Sequence, residues 1–97
     1  MITSKQRSYL RGLANKLSPI FQVGKEGIED NFLKQIDEAL EAREIIKISV
    51  LKNSFYTARE ASEAICSQLG CEAVQCIGNK FVLYRESKKK SKIELPK

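Results

Sequence analysis

Apolar residues recur along this chain in two rhythms, one helical and one alternating, and the switches between them predict a run of seven elements. Residues 3–17 place Leu10, Leu13, Ala14 and Leu17 on one face at helical spacing, behind a capping box of Thr3 and Gln6. Ser18-Pro19 ends that helix, so Pro19 to Val23 reads as a short strand. A second helix over 30–43 buries Phe32, Leu33, Ile36, Ala39 and Leu40 and exposes Asp37, Glu38 and Glu41. From Ile45 to Leu51 the pattern alternates, with Ile46, Ile48 and Val50 on one side and Lys47 and Ser49 on the other, as in a strand with one face open to solvent. Thr57 and Glu60 open a third helix to about Leu69, with Ala58, Ala61, Ile65 and Leu69 as its stripe and Gly70 as its stop. Ala73 to Ile77 and Phe81 to Arg85 flank Gly78-Asn79-Lys80, the pattern of a tight hairpin.

The order α-β-α-β-α-β-β predicts an α/β fold: a single compact domain over residues 1–86, with a four-stranded mixed sheet packed with three helices. A length of 97 residues with 42% hydrophobic content suits one core of this size. Residues 87–97 are polar and lysine-rich and read as a basic, loosely held C-terminal tail.

Between the first strand and the second helix lies Gln22-Val-Gly-Lys-Glu-Gly-Ile28. Two glycines three apart let a loop present bare amide N–H groups, and the helix behind it adds a partial positive charge. Phosphate is the natural ligand of such a surface. Glu29 and Asp30 work against it, so Gly24, Lys25 and Gly27 require cations from elsewhere. Right-handed β-α-β crossovers would make the first three strands parallel, with their C-terminal ends on one edge of the sheet. Lys25, Lys52 and Lys80 then share that edge, and a first helix antiparallel to the first strand would bring Lys5 and Arg7 there too. Arg11 lies one turn beyond Arg7 on the same flank. Phe55-Tyr56, in a loop at this edge, is the better pair for stacking on bases. The tail leaves from the opposite edge, where Lys88, Lys89, Lys90 and Lys92 read as a solvated run and Arg85 as half of a structural ion pair.

The net charge of +5 is segregated along the sequence. Residues 28–44 hold six acids against Lys34 and Arg43, whereas residues 80–97 hold seven bases against Glu86 and Glu94. Such a distribution steers a protein onto polyanions. Histidine is absent and Cys66, Cys71 and Cys76 form no C-x-x-C pair, so no metal site, cofactor or disulfide scaffold is expected. Cys66 and Cys76 read as small apolar fillers. As an enzyme the chain would rely on Cys71 or Cys76 as nucleophile, or on Asp37 with Glu41, and a cysteine has no histidine here to serve as its base. No apolar run reaches membrane-spanning length and the start lacks a signal-peptide stretch, which predicts a cytoplasmic protein away from membranes, and a monomer is expected. A third reading is a protein-interaction adaptor that uses the acidic helix or the polar strand face.

Taken together, Lys-Gln-Arg-x-x-Leu-Arg-x-Leu-Ala from Lys5, Val-Gly-Lys-Glu-Gly-Ile from Val23, Glu-Ile-Ile-Lys-Ile from Glu44, and Val-Gln-x-Ile-Gly-x-x-x-Val-Leu-Tyr-Arg from Val74 resemble the CRM domain. This is the chloroplast RNA splicing and ribosome maturation family, and the chain is similar to its small stand-alone bacterial members of the YhbY type. The resemblance covers nearly the whole chain, including the closing Lys-Ile-Glu-Leu-Pro. It implies a domain similar to the C-terminal domain of bacterial translation initiation factor 3. It also implies RNA binding through the G-x-x-G loop and association with precursors of the large ribosomal subunit, among ribosomal RNA and ribosomal proteins. Carried over by position, it puts Gly24, Lys25 and Gly27 in the loop and Lys5, Arg7 and Arg11 on the helix. Glu29 stands where many relatives carry a threonine cap, and Arg43 where many carry histidine.

Overall fold

The computed structural model describes residues 2–97. Its elements follow in the expected order: α1 (Ser4–Ala14), β1 (Phe21–Val23), α2 (Asp30–Arg43), β2 (Ile45–Val50), α3 (Ala58–Leu69), β3 (Glu72–Ile77) and β4 (Lys80–Tyr84). Both predicted capping boxes form, at Thr3 with Gln6 and at Thr57 with Glu60, and Gly70 ends α3 in the left-handed region at φ 67°. The first helix stops at Ala14, short of the expected Leu17, and Asn15 caps it.

The strands form one sheet in the order β1-β2-β4-β3. β1 pairs parallel with β2, and β4 runs antiparallel to both β2 and β3. β1, β2 and β3 therefore point the same way, as the crossover rule requires, with β4 inserted between the last two. Alternation along β2 and β4 sends Ile46, Ile48, Val50, Phe81 and Leu83 to one face, where α2 and α3 bury Ile36, Leu40, Ala61 and Ile65 against them. Ile45, Val74, Val82 and Tyr84 point to the other face and are covered by Leu10 and Ala14 of α1, with Ile93 and Leu95 packed alongside. The layers are α1 with the C-terminal segment, then the sheet, then α2 with α3.

That C-terminal segment is held in place, contrary to the expectation of a loose tail. Glu44 follows α2 with φ 67°, is fully buried, and accepts hydrogen bonds from the main-chain N–H groups of Ser87 (2.7 Å), Ile93 (2.8 Å) and Lys92. Burial opposes ionisation of this carboxyl, but those amides outweigh it and hold the pKa below the ordinary value. Glu41 accepts from the Ser87 hydroxyl at 2.6 Å and from the amides of Lys88 and Lys89. Gln6 completes its own capping box and also donates to the Pro96 carbonyl at 3.0 Å. The polar face of α2 thus works as a latch rather than as solvated helix surface. Sequence periodicity finds apolar stripes and does not show which polar residues will meet chain returning from elsewhere.

The latch carries a pH signature. The Ser87 hydroxyl, and after it the Lys88 amide, hold the Glu41 pKa down to about 2. A depressed carboxyl contributes stability that is complete above its unfolded value, near 4.5, and is lost as the pH falls through the folded value. Amide resonances of Lys88 and Lys89, followed by NMR during acid titration, are expected to move with a midpoint near 2. A midpoint near 4.5 would show that these bonds do not hold in solution.

Candidate nucleic-acid interface

The loops after β1 and β2 and the β3–β4 hairpin meet at one edge. Leu51 donates its N–H to the Val23 carbonyl at 2.9 Å, while Asn79 donates from its side chain to the Val50 carbonyl and accepts the Val50 N–H at its own carbonyl. These bonds put the segments carrying Lys25, Lys52 and Lys80 side by side, with Lys80 opposite Ser49 and Ile77 in the ladders. All three lysines are exposed.

Glycine is required in the loop at Gly27, which has φ 77°, a left-handed conformation, with an added Cβ 3.4 Å from Tyr56 Cε2. At Gly24 an added Cβ would make only ordinary contact with Leu51 Cδ1, at 3.5 Å. The Gly27 N–H is taken by the Gly24 carbonyl at 3.1 Å, which leaves the amides of Lys25 and Glu26 as the loop's open donors. Glu29 occupies the N-cap of α2 in an extended conformation without a side-chain cap bond, so the first-turn amides also remain open.

Lys5 and Arg7 do not join this edge. Ile2 donates its N–H to Glu72 Oε1 at 2.8 Å and the Arg7 guanidinium donates to the Ala73 carbonyl, both at the start of β3. Asn15, at the other end of α1, lines a cleft with Gly78, Asn79 and Lys80. α1 thus runs with β1, β2 and β3 rather than against them. The handedness rule governs helices between two strands, and α1 precedes the first strand, so the rule never constrained it. Arg11 is exposed one turn beyond Arg7, toward the loop edge.

Other cations extend the basic surface along the sheet instead. The cleft that holds Asn15 and Lys80 also contains Lys47. A second cleft continues from Lys47 to Lys16 and Arg43. Among the described residues, no carboxylate lines either one. Lys47 and Lys80 share the α1 face of the sheet because both point away from Ile48 and Phe81, so strand alternation already carried this signal. Lys16 was harder to see. It lies beyond the helix end, where residues 15–20 turn back across the sheet, and its neighbour Arg43 comes from the end of α2.

The charges at the far edge are paired structurally. Arg85 bridges Asp37 at 3.1 Å and Glu41 at 3.3 Å, as its position at the far edge suggested. Lys88 and Lys89 stand beside Asp37, Glu38 and Glu41 in one shallow cleft, so the segregated charges of the sequence meet in the fold. Phe55 is 87% exposed, whereas Tyr56 is half-buried against the core beside Gly27, so the aromatic pair divides into one surface ring and one supporting ring. Of the cysteines, Cys76 is exposed and is no core filler; Cys71 is the buried one. Its S–H points at Cys66 across 3.4 Å, which raises the Cys71 pKa and lowers that of Cys66. Among the described residues no cluster of histidine, cysteine or carboxylate groups could hold a metal ion, and no helix is long and apolar enough to cross a membrane.

A three-layer α/β domain with a glycine loop at one sheet edge and a cationic groove leading away from it has the features of a polyanion-binding module. Residues 2–85 match the model of the CRS1 / YhbY (CRM) domain, and the chain belongs to that family. It is 53% identical over 96 residues to the Probable RNA-binding protein YqeI of Bacillus subtilis, covering 99% of this chain and 100% of that relative. An RNA-binding protein of Haemophilus influenzae is 35% identical, over 99% of this chain and 96% of its own length. The solution structure of a hypothetical protein from Staphylococcus aureus superposes with a TM-score of 0.81 at 51% identity, covering 99% of this chain and all of that one.

Proposed function

We propose that this protein is a non-catalytic RNA-binding factor that holds the sugar-phosphate backbone against the Gly24-Lys-Glu-Gly27 loop and the cations around it, and that it acts on the precursor of the large ribosomal subunit. The observation that carries this reading is the meeting of three loops bearing Lys25, Lys52 and Lys80, continued by a cationic groove through Lys47 to Lys16 and Arg43. Backbone amides and cations from separate segments suit an extended polyanion better than a small substrate. The names of the relatives support RNA as that polyanion. The chain has no histidine to activate a thiol, and the buried Cys71 is pushed away from ionisation by its bond to Cys66, which supports binding rather than catalysis. The protein works as a cytoplasmic monomer, with ribosomal proteins as neighbours rather than required partners.

Crosslinking in cells followed by sequencing of the attached RNA tests this directly. Enrichment of large-subunit ribosomal RNA precursors is the expected result, and crosslinks scattered over messenger RNA would overturn the ribosomal part. A pull-down of ribosomal proteins that survives nuclease treatment would favour the adaptor reading instead.

The exposed ring of Phe55 adds a second kind of contact. Replacing Phe55 by Ala is expected to weaken binding to single-stranded RNA by about 1–3 kcal/mol, the usual cost of one lost base stack, and to leave duplex binding unaltered. Fluorescence anisotropy with matched single-stranded and duplex oligomers measures both, and equal losses on the two would remove Phe55 from a stacking role.

A further inference from the structure

The pocket beside the glycine loop does not have the chemistry of a phosphate slot. It is about 450 Å³ in volume, and Lys25, the cation among the described residues that line it, is outnumbered by Glu26 and Glu29. Asn31 and Gln35 complete its polar wall with the backbone around Gln22, while Phe32 and Leu51 supply an apolar surface. Phe32 is held edge-on against Phe21, with ring centroids 5.9 Å apart, which fixes the floor. Asn31 and Gln35 are four residues apart on α2 and so project from the same flank. Glu29 spends no hydrogen bond on capping its own helix. Its carboxylate is left as an acceptor beside loop amides that can take a neighbouring phosphate.

We propose that this pocket receives one unpaired nucleobase of the bound RNA and favours guanine, with Glu29 as the discriminating acceptor. Guanine presents two adjacent donors on its Watson–Crick edge, N1–H and the N2 amino group, which one carboxylate can accept together. Uracil offers a single ring N–H between two carbonyl oxygens, and those oxygens would face the carboxylate. The amides of Asn31 and Gln35 can donate or accept, so they orient the base without choosing it. A flat ring against Phe32 and Leu51 uses the apolar wall, whereas a bare phosphate would leave that wall empty and meet two like charges. The carboxylates that weaken the loop as an anion site thereby become the reason it reads sequence. This inference rests on the RNA-binding reading above and extends it from backbone to base.

The test compares an oligouridine of about eight nucleotides, long enough to cross a site of this size, with the same oligomer carrying one central G, C or A, by fluorescence anisotropy at low salt. The wild type is expected to bind the G-containing oligomer about tenfold more tightly than oligouridine, the gain of one charge-assisted pair. Glu29→Gln is expected to bring that ratio close to one, and Gln35→Ala to reduce it. Lys25→Ala should weaken all four oligomers by a common factor and so preserve the ratio. Both pocket positions are exposed, and an NMR amide spectrum verifies that each variant keeps its fold. Equal affinity of the wild type for all four oligomers, or a preference for G that survives both pocket variants, overturns the proposal while leaving backbone binding intact. Absence of binding to any oligomer overturns the RNA-binding reading itself, and this inference with it.

Discussion

The affinity for RNA is expected to fall by about two to three orders of magnitude as salt rises from about 50 to about 200 mM, corresponding to roughly six phosphate contacts on a flexible strand. The fold changes part of the cation set suggested by the sequence: Lys25, Lys52 and Lys80 stay at the loop edge, Lys5 and Arg7 drop out, and Lys47, Lys16 and Arg43 extend the set along the α1 face toward the start of β2. Single substitutions separate the two sets. Lys47→Ala is expected to lower the slope of log affinity against log salt by about 0.7, the contribution of one released counterion on single-stranded RNA. Arg7→Ala is expected to leave the slope unchanged, because that guanidinium is engaged by the Ala73 carbonyl at the opposite end of the sheet. Equal slope changes for the two variants would mean that the RNA follows α1 instead of the groove. A slope near zero would remove backbone contact as the basis of binding.

Glu44→Gln is expected to destabilise the protein by about 3 kcal/mol, since a buried charge is lost and one of the two oxygens, which together accept three amide hydrogen bonds, becomes an NH2 group that faces an N–H donor. For a domain of this size that corresponds to a fall of about 15 °C in Tm. Glu44→Gly separates backbone from side chain. The residue has φ 67°, a conformation that costs a side chain about 1–2 kcal/mol, so glycine would stabilise if relief of strain outweighed the loss of the carboxylate. The three amides at Ser87, Lys92 and Ile93 argue for the opposite balance, in which glycine too destabilises. Thermal denaturation of the two variants decides. A glutamine variant that melts within about 3 °C of the wild type, a shift worth well under 1 kcal/mol, would refute the role of Glu44 in holding the C-terminal segment. Because the folded pKa of Glu44 lies below its ordinary value, this contribution is complete above 4.5 and fades as the pH falls through the lowered value.

What could be read from the sequence followed from local rules. Thr3 with Gln6, Thr57 with Glu60, Gly70, and the alternation around Ile46 and Ile48 each act within a few residues, and each element they predicted is present. The parallel sense of β1, β2 and β3 followed from crossover handedness, which is equally general. Two features escaped because they depend on distant chain. The direction of α1 is set by the contacts of Ile2 and Arg7 with Glu72 and Ala73, which lie 70 and 66 positions away. The latch depends on Glu41 and Glu44 meeting residues 87–93, and an acidic helix face looks the same in sequence whether it meets water or main-chain amides. At the interface the glycine loop and the edge lysines were legible. The groove of Lys16, Arg43 and Lys47 was not, because its members come from a connector, a helix end and a strand.

The bond from Gln6 to Pro96 joins residues 90 positions apart, so the layer containing α1 cannot close until the C-terminal segment is in place. Leu10 and Ala14 share their cluster with Ile45 of β2, but their other partners, in β3, β4 and residues 93–95, come later in the chain. The opposite layer draws its core from residues 21–83. The domain is therefore expected to mature from its middle outward, with the apolar stripe of its first helix the last to be covered.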